Sequence, residues 1–364
     1  MKVALVHDYL TQRGGAERVV LSLTRAFPGA PVYTSLYDPD GTFPEFADVD
    51  VRTLPINRIG LLRRHHRLAL PLLAPSFSRL RVKADVVICS SSGWAHGARV
   101  TGTKIVYCYT PARWLYQPDR YLRGKHRSLR AVAELLRPWL VRWDKSAAAT
   151  ADCYIGISHA VADRIRLQYG VDAEVIAPPP AVTAGEETQS IDGLKPGFVL
   201  CVSRLLAYKN VDAVIRAFDQ LSDQRLVVAG SGPEERALRA AAGKNVTFAG
   251  RVTDAELRWL YANCSALVAA SHEDFGLTPL EAAGFGKPTA ALRWGGFLDT
   301  VVENTTGVFF DTPGPYEITG ALSRLLATKW DEKAIRATAE SFSEARFIER
   351  MRTLIIQQSA KTSS

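Results

Sequence analysis

The sequence predicts an α/β protein made of two doubly wound, Rossmann-like domains, and three observations lead to this fold class. Short runs rich in valine, isoleucine and tyrosine alternate with stretches of helical periodicity along the chain, a rhythm typical of βα units around a parallel sheet. The rhythm occurs in two series, separated by a segment rich in proline, glycine and polar residues between Val175 and Phe198. A length of 364 residues also exceeds what one hydrophobic core usually serves.

The first series predicts an amino-terminal domain over residues 1–180. Its strand-like runs are KVALVH, ADVVICS, KIVYCYT and CYIGIS, and its helical patterns include AERVVLSLTRAF and AVADRIRLQYG. The second series predicts a carboxyl-terminal domain over residues 190–342, with the strands FVLCV, RLVVAG, NVTFAG, SALVAAS, PTAALR and GVFFD separated by helices. The helical pattern at about 343–360 has no strand after it, so we expect it to pack back on the first domain. Ligands of such a pair are expected in a cleft at the carboxyl ends of the strands.

Composition bounds the class of protein and locates its charge. Apolar residues make up 47% and charged residues 23%, which is ordinary globular usage. The net charge is +8, yet residues 51–150 carry 19 Lys or Arg against 4 Asp or Glu, so one region is strongly cationic. Such a region can contact nucleic acid, anionic lipid or a phosphorylated substrate, and composition does not choose among them.

Cysteine usage and hydropathy predict the compartment. The five cysteines are widely spaced and form no CxxC pair, so we expect buried free thiols in a reducing compartment rather than zinc ligands or disulfides. No apolar run reaches the ~20 residues of a membrane-spanning helix. The amino terminus lacks the pattern of a signal peptide. A cytoplasmic protein, soluble or peripheral on a membrane, is therefore predicted.

The segment HEDFGLTPLEAAGFGKP carries two acids, Glu273 and Glu281. It is predicted to leave the carboxyl end of a strand and to open a helix, where backbone N–H groups attract phosphate and glycine lets a ligand approach. Two interpretations are open. Glu281 can complete a capping box with Thr278 as the N-cap residue, while Glu273 is a solvated loop acid. Alternatively, the two acids bind a ligand.

Two further turns carry groups that suit phosphate. Arg204 and Lys209 flank the turn after FVLCV, and a planar guanidinium with a compact ammonium suits a diphosphate. Gly14 and Gly15 open the first helix of the amino-terminal domain, so their amides can line the opposite side of the cleft. Neither turn matches the GxGxxG or the Walker motif. Exposed basic pairs and helix starts with glycine are also common without a ligand.

At these residues the sequence resembles the retaining GT-B glycosyltransferases of family 4, a group with many bacterial mannosyltransferases. The resemblance covers nearly the whole chain. It rests on HDYLTQRGGAERV and YCYTPARWLY in the amino half, and on SRLLAYKNVD, VVAGSGPEE, NVTFAGRV and HEDFGLTPLEAAGFGKP in the carboxyl half. The E-x7-E spacing combined with an upstream R-x4-K is specific. The implied fold is GT-B, in which two Rossmann-like domains face each other across a cleft.

The resemblance implies a role for each matching residue. Arg204 and Lys209 clamp the donor diphosphate and neutralise the departing nucleotide, and Glu273 contacts the donor sugar, so these three are the expected catalytic residues. Glu281 accepts from the ribose hydroxyls. The other donor-binding positions implied by the family are the phosphate-binding amides of Gly14 and Gly15, the loop residues Phe275, Gly276 and Leu277, and Arg251 and Val252 beside the base.

One position departs from the family pattern. Many relatives have His-Thr-Pro where this chain has Tyr109, Thr110 and Pro111, and the histidine there often contacts the donor sugar. Tyrosine can hydrogen-bond but is not a base at neutral pH. Tyr109 is therefore predicted as a donor-binding residue, and the identity of the sugar stays open.

The implied activity is that of a metal-independent retaining hexosyltransferase with no cofactor besides its nucleotide-sugar co-substrate. In this family the leaving diphosphate helps to deprotonate the acceptor, so neither a protein nucleophile nor a metal is expected. We expect GDP-mannose as the donor and an oligosaccharide or a lipid-linked glycan, such as one on a polyprenyl diphosphate, as the acceptor in cell-surface polysaccharide assembly. The alternative within the family is a UDP- or dTDP-sugar-dependent transferase.

Two alternatives come from another class. A basic nucleic-acid-binding protein would use the cationic region, but the chain lacks an RNA-binding aromatic signature or a recognition-helix pattern. A catalytically silent homologue would act as a membrane scaffold, and the complete set of Arg204, Lys209, Glu273 and Glu281 argues against it. We therefore expect no nucleic-acid partner.

Residues 56–83, INRIGLLRRHHRLALPLLAPSFSRLRVK, interleave cations with leucine, isoleucine and phenylalanine. A basic amphipathic segment suits an anionic membrane surface. A solvated surface over a buried apolar stripe gives the same pattern, and Pro71 and Pro75 are expected to break any single long helix. A lipid-linked acceptor favours the membrane interpretation. The predicted location is peripheral, on the inner face of the cell membrane.

Overall fold

The computed structural model describes residues 1–117 and 127–363, which form two compact units. The first unit consists of Met1–Pro178 and Glu344–Ser364, and the second consists of Pro179–Ser343. Each unit is organised around one parallel sheet.

The sheet of the first unit has seven strands in the order β3-β2-β1-β5-β7-β8-β9. Their bounds are β1 Val3–His7, β2 Val32–Thr34, β3 Val51–Thr53, β5 Val86–Ser91, β7 Thr103–Cys108, β8 Cys153–Gly156 and β9 Ala173–Val175. Every residue of β5 and β7 is buried, as expected for central parallel strands covered on both faces. Two short strands, β4 (Arg81–Val82) and β6 (Arg99–Val100), pair in a separate parallel ribbon.

Within residues 1–117 and 127–178, six helices of the first unit are described. They are α1 Gly15–Ala26, α2 Gly60–Arg64, α3 Leu70–Arg79, α4 Arg113–Tyr116, α5 Arg127–Ala148 and α6 His159–Tyr169. Pro71 lies in the first turn of α3, where its missing N–H costs nothing. Residues 56–83 form no single long helix, as expected, because α2 ends at Arg64 and α3 begins at Leu70. Pro75, however, lies inside α3 and does not break it.

The sheet of the second unit has six strands in the order β12-β11-β10-β13-β14-β15. Their bounds are β10 Phe198–Val202, β11 Leu226–Ala229, β12 Val246–Gly250, β13 Cys264–Ala269, β14 Thr289–Leu292 and β15 Gly307–Phe310. The helices are α7 Val211–Ala217, α8 Glu235–Ala241, α9 Asp254–Asn263, α10 Leu277–Gly284, α11 Phe297–Thr300, α12 Pro315–Ala327 and α13 Glu332–Glu340.

Alternate residues of β10 divide between two hydrophobic clusters. Val199 and Cys201 belong to one cluster, whereas Phe198 and Leu200 pack with Tyr261 of α9 in the other. Successive side chains of a strand point to opposite faces. The second sheet is therefore covered by apolar side chains on both faces.

The last helix, α14 (Glu344–Ser363), returns to the first unit. The Glu344 carboxylate accepts from Ser22 Oγ and Arg25 Nη2 of α1, both at 2.5 Å. Arg352 Nε donates to the carbonyl of Ala26 at 2.9 Å. The carboxyl-terminal helix therefore packs against α1, the first helix of the chain.

The order of strands reverses at one point in each sheet, between β1 and β5 in the first and between β10 and β13 in the second. Such a reversal leaves a crevice outside the carboxyl ends of the two strands, where ligands of open α/β sheets bind. The prediction of two doubly wound parallel sheets is confirmed. The reversal points direct attention to the loops that follow these four strands.

The cysteines and the hydropathy of the helices can be compared with the expectations from the sequence. The five cysteines are free and four of them are buried, as predicted from their spacing. No helix in residues 1–117 or 127–363 combines the length and the hydropathy needed to cross a bilayer.

Candidate functional site

Two loops of the second unit leave β10 and β13, the strands at its reversal point. The first holds Arg204 and ends in a 3-10 turn, Ala207–Lys209, and the second holds Glu273. Asn210 joins the loops, because its Nδ2 donates to the carbonyl of Ala270 at 2.8 Å. Its backbone is left-handed, with φ of 54°, a conformation that asparagine tolerates better than most residues.

Lys209 and Glu273 form an ion pair between these loops. Lys209 Nζ donates to Glu273 Oε1, which also accepts from Ser271 Oγ at 2.9 Å. Lys209 is 8% exposed, whereas the Glu273 side chain is 27% exposed. A buried ammonium needs a counter-charge. The structure therefore brings together two of the three residues that were expected to be catalytic.

Arg204, the third of these residues, is exposed in the loop between β10 and the 3-10 turn. Its Nη2 lies 3.5 Å from the hydroxyl of Tyr208, and the Tyr208 ring lies 5.0 Å from Lys209 Nζ. The guanidinium is thus accessible to a ligand beside the ion pair.

The loop after β11 supports the Arg204 loop through two glycines to which the sequence analysis gave no role. A Cβ on Gly230 would lie 1.9 Å from the carbonyl oxygen of Ser203, and one on Gly232 would lie 2.3 Å from that of Leu205. Leu205 N also donates to the carbonyl of Ser231 at 3.0 Å. The signal for this contact is the glycine pair in VVAGSGPEE, which only the pairing of β10 with β11 makes interpretable.

The loop that holds Glu273, called the acidic loop below, ends at Gly276, the N-cap residue of α10. Gly276 has φ of 107° and precedes Leu277, the first helical residue, so the amide of Leu277 is one of the helix's unpaired amino-terminal donors. A Cβ on Gly276 would lie 2.5 Å from Phe297 Cδ1. Phe275 is buried. The alternative of a capping box with Thr278 as N-cap is wrong, because α10 starts one residue before Thr278 and its cap makes no side-chain hydrogen bond.

A loop after β14 that the sequence analysis missed packs against the acidic loop. Gly296 N donates to the carbonyl of Glu273 at 3.0 Å, and a Cβ on Gly296 would lie 2.1 Å from Phe275 Cα. The Trp294 ring stands edge-on to His272, with ring centroids 4.9 Å apart. Adjacent glycines after a strand were the available signal. This loop fixes the backbone that carries Glu273.

Glu281 lies in a buried hydrogen-bond network within the second unit. It is 5% exposed and accepts from the Tyr261 hydroxyl at 2.7 Å and from the backbone N–H of Ala181 at 3.3 Å. Burial, followed by the charge of Glu281, raises the pKa of Tyr261 well above its usual value. The carboxylate therefore joins α10 to α9 and to the segment before β10.

Arg251 and Val252 follow β12, the edge strand of the sheet. Arg251 is exposed, and Val252 packs against the cluster that contains Phe198. Both lie at the carboxyl edge of the sheet, and β11 separates their strand from β10.

In the first unit, the loop after β1 leads to Gly14 and Gly15 at the start of α1. Gly15 is exposed, and Gly14 is the N-cap residue. A Cβ on Gly14 would lie 2.5 Å from Oε2 of Glu17. Glu17 is buried, its Oε1 accepts from Gln12 Nε2 at 3.1 Å, and burial raises its pKa to about 7. A buried carboxyl group thus lies directly behind the first amides of α1.

Tyr109 follows β7 and is joined to α1 by its hydroxyl. The hydroxyl donates to the carbonyl of Ala16 at 3.0 Å and lies 2.9 Å from Ser90 Oγ, which in turn lies 3.0 Å from His7 Nδ1. Burial lowers the pKa of His7 to about 4, so this imidazole is neutral at pH 7. A chain of hydrogen bonds therefore connects the ends of β1, β5 and β7 to the first turn of α1.

Asp8 organises the loop after β5. Its carboxylate accepts from the backbone N–H of Ser92 at 2.7 Å and from that of Ala95 at 2.6 Å, and burial raises its pKa to about 6. Within the part of the chain that the structure covers, no cluster of three or more His, Cys, Asp or Glu is placed to hold a metal ion.

Solved structures share this architecture. HepE of Anabaena, in a crystal structure with UDP and glucose, matches with a TM-score of 0.70 at 18% identity, over 98% of this chain and 99% of that one. At this level of identity the likeness shows the fold alone. The fold is that of the GT-B glycosyltransferases.

Two family models match the sequence, one in each unit. Residues 13–180 match Glycosyltransferase Family 4, and residues 186–342 match Glycosyl transferases group 1. The chain is a GT-B glycosyltransferase of the family 4 type. The resemblance stated from the sequence motifs is confirmed.

Relatives of this glycosyltransferase include mannosyltransferases. The human alpha-1,3/1,6-mannosyltransferase ALG2 is 26% identical over an alignment of 392 positions that covers 93% of this chain and 89% of that one. The GDP-mannose-dependent alpha-(1-6)-phosphatidylinositol monomannoside mannosyltransferase of Mycolicibacterium smegmatis is 31% identical over 175 residues, 43% of this chain and 46% of that one. The match to the glycogen synthase of Thermus thermophilus, at 33% identity, spans only 38% of that protein.

Proposed function

We propose that this glycosyltransferase is a retaining mannosyltransferase that uses GDP-mannose and acts on a lipid-linked or oligosaccharide acceptor at an anionic membrane surface. The observation that carries the proposal is the Lys209–Glu273 ion pair beside the exposed Arg204 at the reversal point of the second sheet. Catalysis of this transfer requires cations that bind the leaving diphosphate and a hydrogen-bond acceptor that binds the hydroxyl groups of the donor sugar. This group of side chains contains both.

The leaving diphosphate is bound by Arg204 and Lys209. The Arg204 guanidinium offers a planar fork to the phosphate oxygens, and Lys209 supplies a charge that its partly buried position strengthens. The amide of Leu277 at the start of α10 adds a backbone donor. These groups stabilise the negative charge that develops as the bond between the sugar and the diphosphate breaks.

Glu273 binds the donor sugar. Ser271 Oγ and Lys209 Nζ both contact Oε1, which leaves the more exposed part of the carboxylate for hydroxyl groups of the hexose. The backbone N–H of Gly296 donates to the carbonyl of Glu273 at 3.0 Å. The carboxylate of Glu273 is therefore positioned before the sugar binds.

Glu281 binds the ribose, and the first unit adds a phosphate-binding position. The Glu281 carboxylate is held in place by hydrogen bonds from Tyr261 and from the backbone N–H of Ala181. The amides of Gly14 and Gly15 bind phosphate oxygens, and Arg251 and Val252 lie beside the base. Tyr109 acts on this position indirectly, since its hydroxyl is bonded to the carbonyl of Ala16 in the first turn of α1.

Retention follows from attack on the same face as the departing group. The bond from the anomeric carbon to the diphosphate oxygen breaks while the bond to the acceptor oxygen forms. The released diphosphate oxygen takes the acceptor proton. Neither Lys209 nor Glu273 forms a covalent bond in this sequence, so their contribution is electrostatic and positional.

The choice of GDP-mannose is supported by two relatives, one named as a GDP-mannose-dependent mannosyltransferase and the other as a mannosyltransferase that matches almost the whole chain. The choice of a membrane surface is supported by four exposed apolar side chains in α2, α3 and the turns beside them. They are Ile59, Leu61, Leu68 and Leu72, with exposed fractions of 49, 60, 57 and 45%.

These apolar side chains lie among exposed cations, Arg58, Arg63 and Arg64. Each Lys or Arg near an anionic surface contributes about 1 kcal/mol of attraction. The combination of inserted leucine and basic residues supports peripheral binding at the inner face of the cell membrane.

Thermal unfolding with GDP, UDP, ADP or dTDP, with and without magnesium, tests the donor. A ligand that binds only the folded state raises the unfolding temperature. We expect a shift with GDP that does not depend on magnesium and that is lost in Arg204→Gln, followed by transfer from GDP-mannose. A shift with UDP or dTDP alone would contradict the mannose assignment and favour another sugar. No shift with any nucleotide would overturn the donor site.

A further inference from the structure

The first unit contains a cavity of about 340 Å³ that the proposed transfer reaction does not use. It lies at the amino-terminal edge of the sheet, since its lining includes Gly102 and Lys104 at the start of β7. The end of α3, strand β6 and the turn that follows α5 complete the wall with Ser78, Arg99 and Thr150. The reversal point of the same sheet lies at the opposite, carboxyl-terminal edge.

Two arginines lie side by side on the ribbon next to this cavity. Arg81 of β4 and Arg99 of β6 are register partners, and both are exposed. The neighbouring Val82 is buried, so the two arginines share the outer face of the ribbon. Like charges directly opposite each other destabilise a pair of strands. Neither arginine forms an ion pair with any residue in 1–117 or 127–363.

A third cation is buried in the wall. Lys104 is 3% exposed, and its Nζ donates to the carbonyl of His96, to that of Ala98 at 2.9 Å and to Thr150 Oγ1 at 2.7 Å. These three acceptors are neutral. Among the described carboxylates, Asp152 acts on Lys104 by its charge, but its Oδ2 accepts the backbone N–H of Lys104 at 2.7 Å. The ammonium therefore carries its charge without a direct counter-ion.

An aromatic side chain also lines the cavity. The Trp143 indole belongs to the lining, and its Nε1 donates to Ser78 Oγ at 2.8 Å. A Cβ on Gly97 would lie 2.5 Å from Trp143 Cζ2, so glycine is needed for the ring to lie where it does. A cavity of this size is at the small end of the ~300–1,000 Å³ range of ligand pockets.

We propose that this cavity and the Arg81–Arg99 pair form a binding site for a phosphate monoester, separate from the site of glycosyl transfer. The two guanidinium forks bind the phosphate oxygens, and the roughly two negative charges of a phosphate monoester offset the charges of the two arginines, while the field of Lys104 adds attraction. The Trp143 face packs against the organic part of the ligand. Two sources offer this chemistry, namely a soluble phosphorylated polyol or the headgroup of an anionic lipid.

Two matched probes distinguish these sources. Glycerol 3-phosphate is the soluble probe, and vesicles of phosphatidylcholine with phosphatidic acid present the same phosphate monoester on a lipid. Calorimetry measures the dissociation constant of the first, and co-sedimentation measures that of the second, at one fixed ionic strength. We expect Arg81→Gln/Arg99→Gln to weaken binding of at least one probe by about tenfold or more, since charge-assisted hydrogen bonds to one phosphate are lost.

Three control variants make the result specific. Lys244→Gln/Lys333→Gln removes the same charge from exposed positions of the second unit and should leave binding within about twofold of the original value, apart from screening effects. Arg204→Gln should also leave it unchanged. Ser146→Tyr fills the cavity from its exposed rim without changing charge and should abolish binding of the soluble probe.

Each outcome decides the proposal. Loss of glycerol 3-phosphate binding in the arginine variant supports a soluble ligand, and loss of phosphatidic acid binding alone supports a lipid headgroup. Absence of binding of both probes by the original protein would overturn the site. Equal losses in the arginine and the Lys244/Lys333 variants would also overturn it, because the attraction would then depend only on net charge.

Discussion

Lys209 and Glu273 lie 64 positions apart in the chain and meet in a single ion pair at the reversal point of the second sheet. The pair joins the cation expected to bind the diphosphate to the acid expected to bind the sugar. Each partner therefore holds the other in place before a donor binds. In the proposed mechanism this reduces the reorganisation needed when the donor enters.

Removal of either partner is expected to affect both stability and turnover. Lys209→Ala leaves Glu273 without its counter-charge, and the reverse holds for Glu273→Ala. In a double-mutant cycle of urea unfolding we expect a coupling free energy of about 1 kcal/mol or more, and turnover of each variant lower by about a hundredfold or more. The exposed pair Asp212–Arg216 is the control, with an expected coupling below about 0.5 kcal/mol. Strictly additive stabilities would contradict the pairing.

Tyr109→Phe tests the hydrogen bonds between β7 and α1. The substitution removes the hydroxyl that bonds Ala16 and Ser90. We expect a loss of about 1 kcal/mol of unfolding free energy and a raised donor KM with kcat less affected, because α1 carries the amides that are proposed to bind phosphate. Tyr154→Phe is the matched control, since the buried Tyr154 hydroxyl has no hydrogen-bond partner among the described residues. An unchanged KM for Tyr109→Phe would show that α1 does not depend on this contact.

The two functions assigned to Glu281 can be separated by substituting its partner. Tyr261→Phe removes the 2.7 Å hydrogen bond to Glu281 but leaves the carboxylate, so unfolding free energy should fall by about 1 kcal/mol with donor affinity retained. Glu281→Ala should lower both. Nucleotide titrations and urea unfolding of the two variants measure the difference. Retained nucleotide affinity in Glu281→Ala would leave this acid with a structural function only.

Glu17 is expected to make stability depend on pH near neutrality. Burial raises its pKa from 4.5 to about 7, so the stability that comes from protonated Glu17 is full at low pH and is lost as pH rises through about 7. Burial raises the pKa of Asp8 to about 6, so its contribution to stability also falls as pH rises. Burial lowers the pKa of His7 from 6.5 to about 4, so its contribution to stability instead rises with pH below pH 6.5. The effect of Glu17 is therefore read above pH 6.5.

Glu17→Gln should flatten the unfolding free energy between pH 6.5 and pH 8, the interval in which Glu17 contributes the largest change of these three groups, to about ±0.5 kcal/mol. Denaturant unfolding across this interval measures the slope. If Gly14 binds the donor phosphate as proposed, donor affinity should become less dependent on pH in the same variant, because a charged carboxylate behind Gly14 would repel phosphate. An identical slope in both proteins would exclude Glu17 as its cause.

The exposed leucines should determine membrane binding. Leu61→Gln/Leu68→Gln removes two exposed apolar side chains from the basic segment, and we expect vesicle binding to weaken by about tenfold while unfolding free energy changes by less than about 0.5 kcal/mol. Leu167→Gln, in α6 and 77% exposed, is the control. Co-sedimentation with anionic vesicles measures binding. Equal binding by the variant and the original protein would contradict the membrane surface.

The longer strands, the two units and the free cysteines were predictable because they depend on local patterns, whereas the three-residue strands β2, β3 and β9 were not predicted. Apolar runs such as those of β5 and β7 indicate buried parallel strands whatever their neighbours are. The motif around Glu273 was also predictable as a loop between a strand and a helix. Its glycine cap at Gly276 was not, because threonine followed by proline and glutamate satisfies the local rule for a capping box equally well.

The sequence by itself determined which residues carry charge and which segments become strands and helices, since both follow from residue types and their period. Only the tertiary structure decided that Lys209 pairs with Glu273, that Glu281 bonds Tyr261, and that Arg81 stands beside Arg99. These partners come from different βα units. Their meeting depends on strand order and on the loops supported by Gly230 and Gly296, and packing across a sheet leaves no trace in the spacing of residues along one chain.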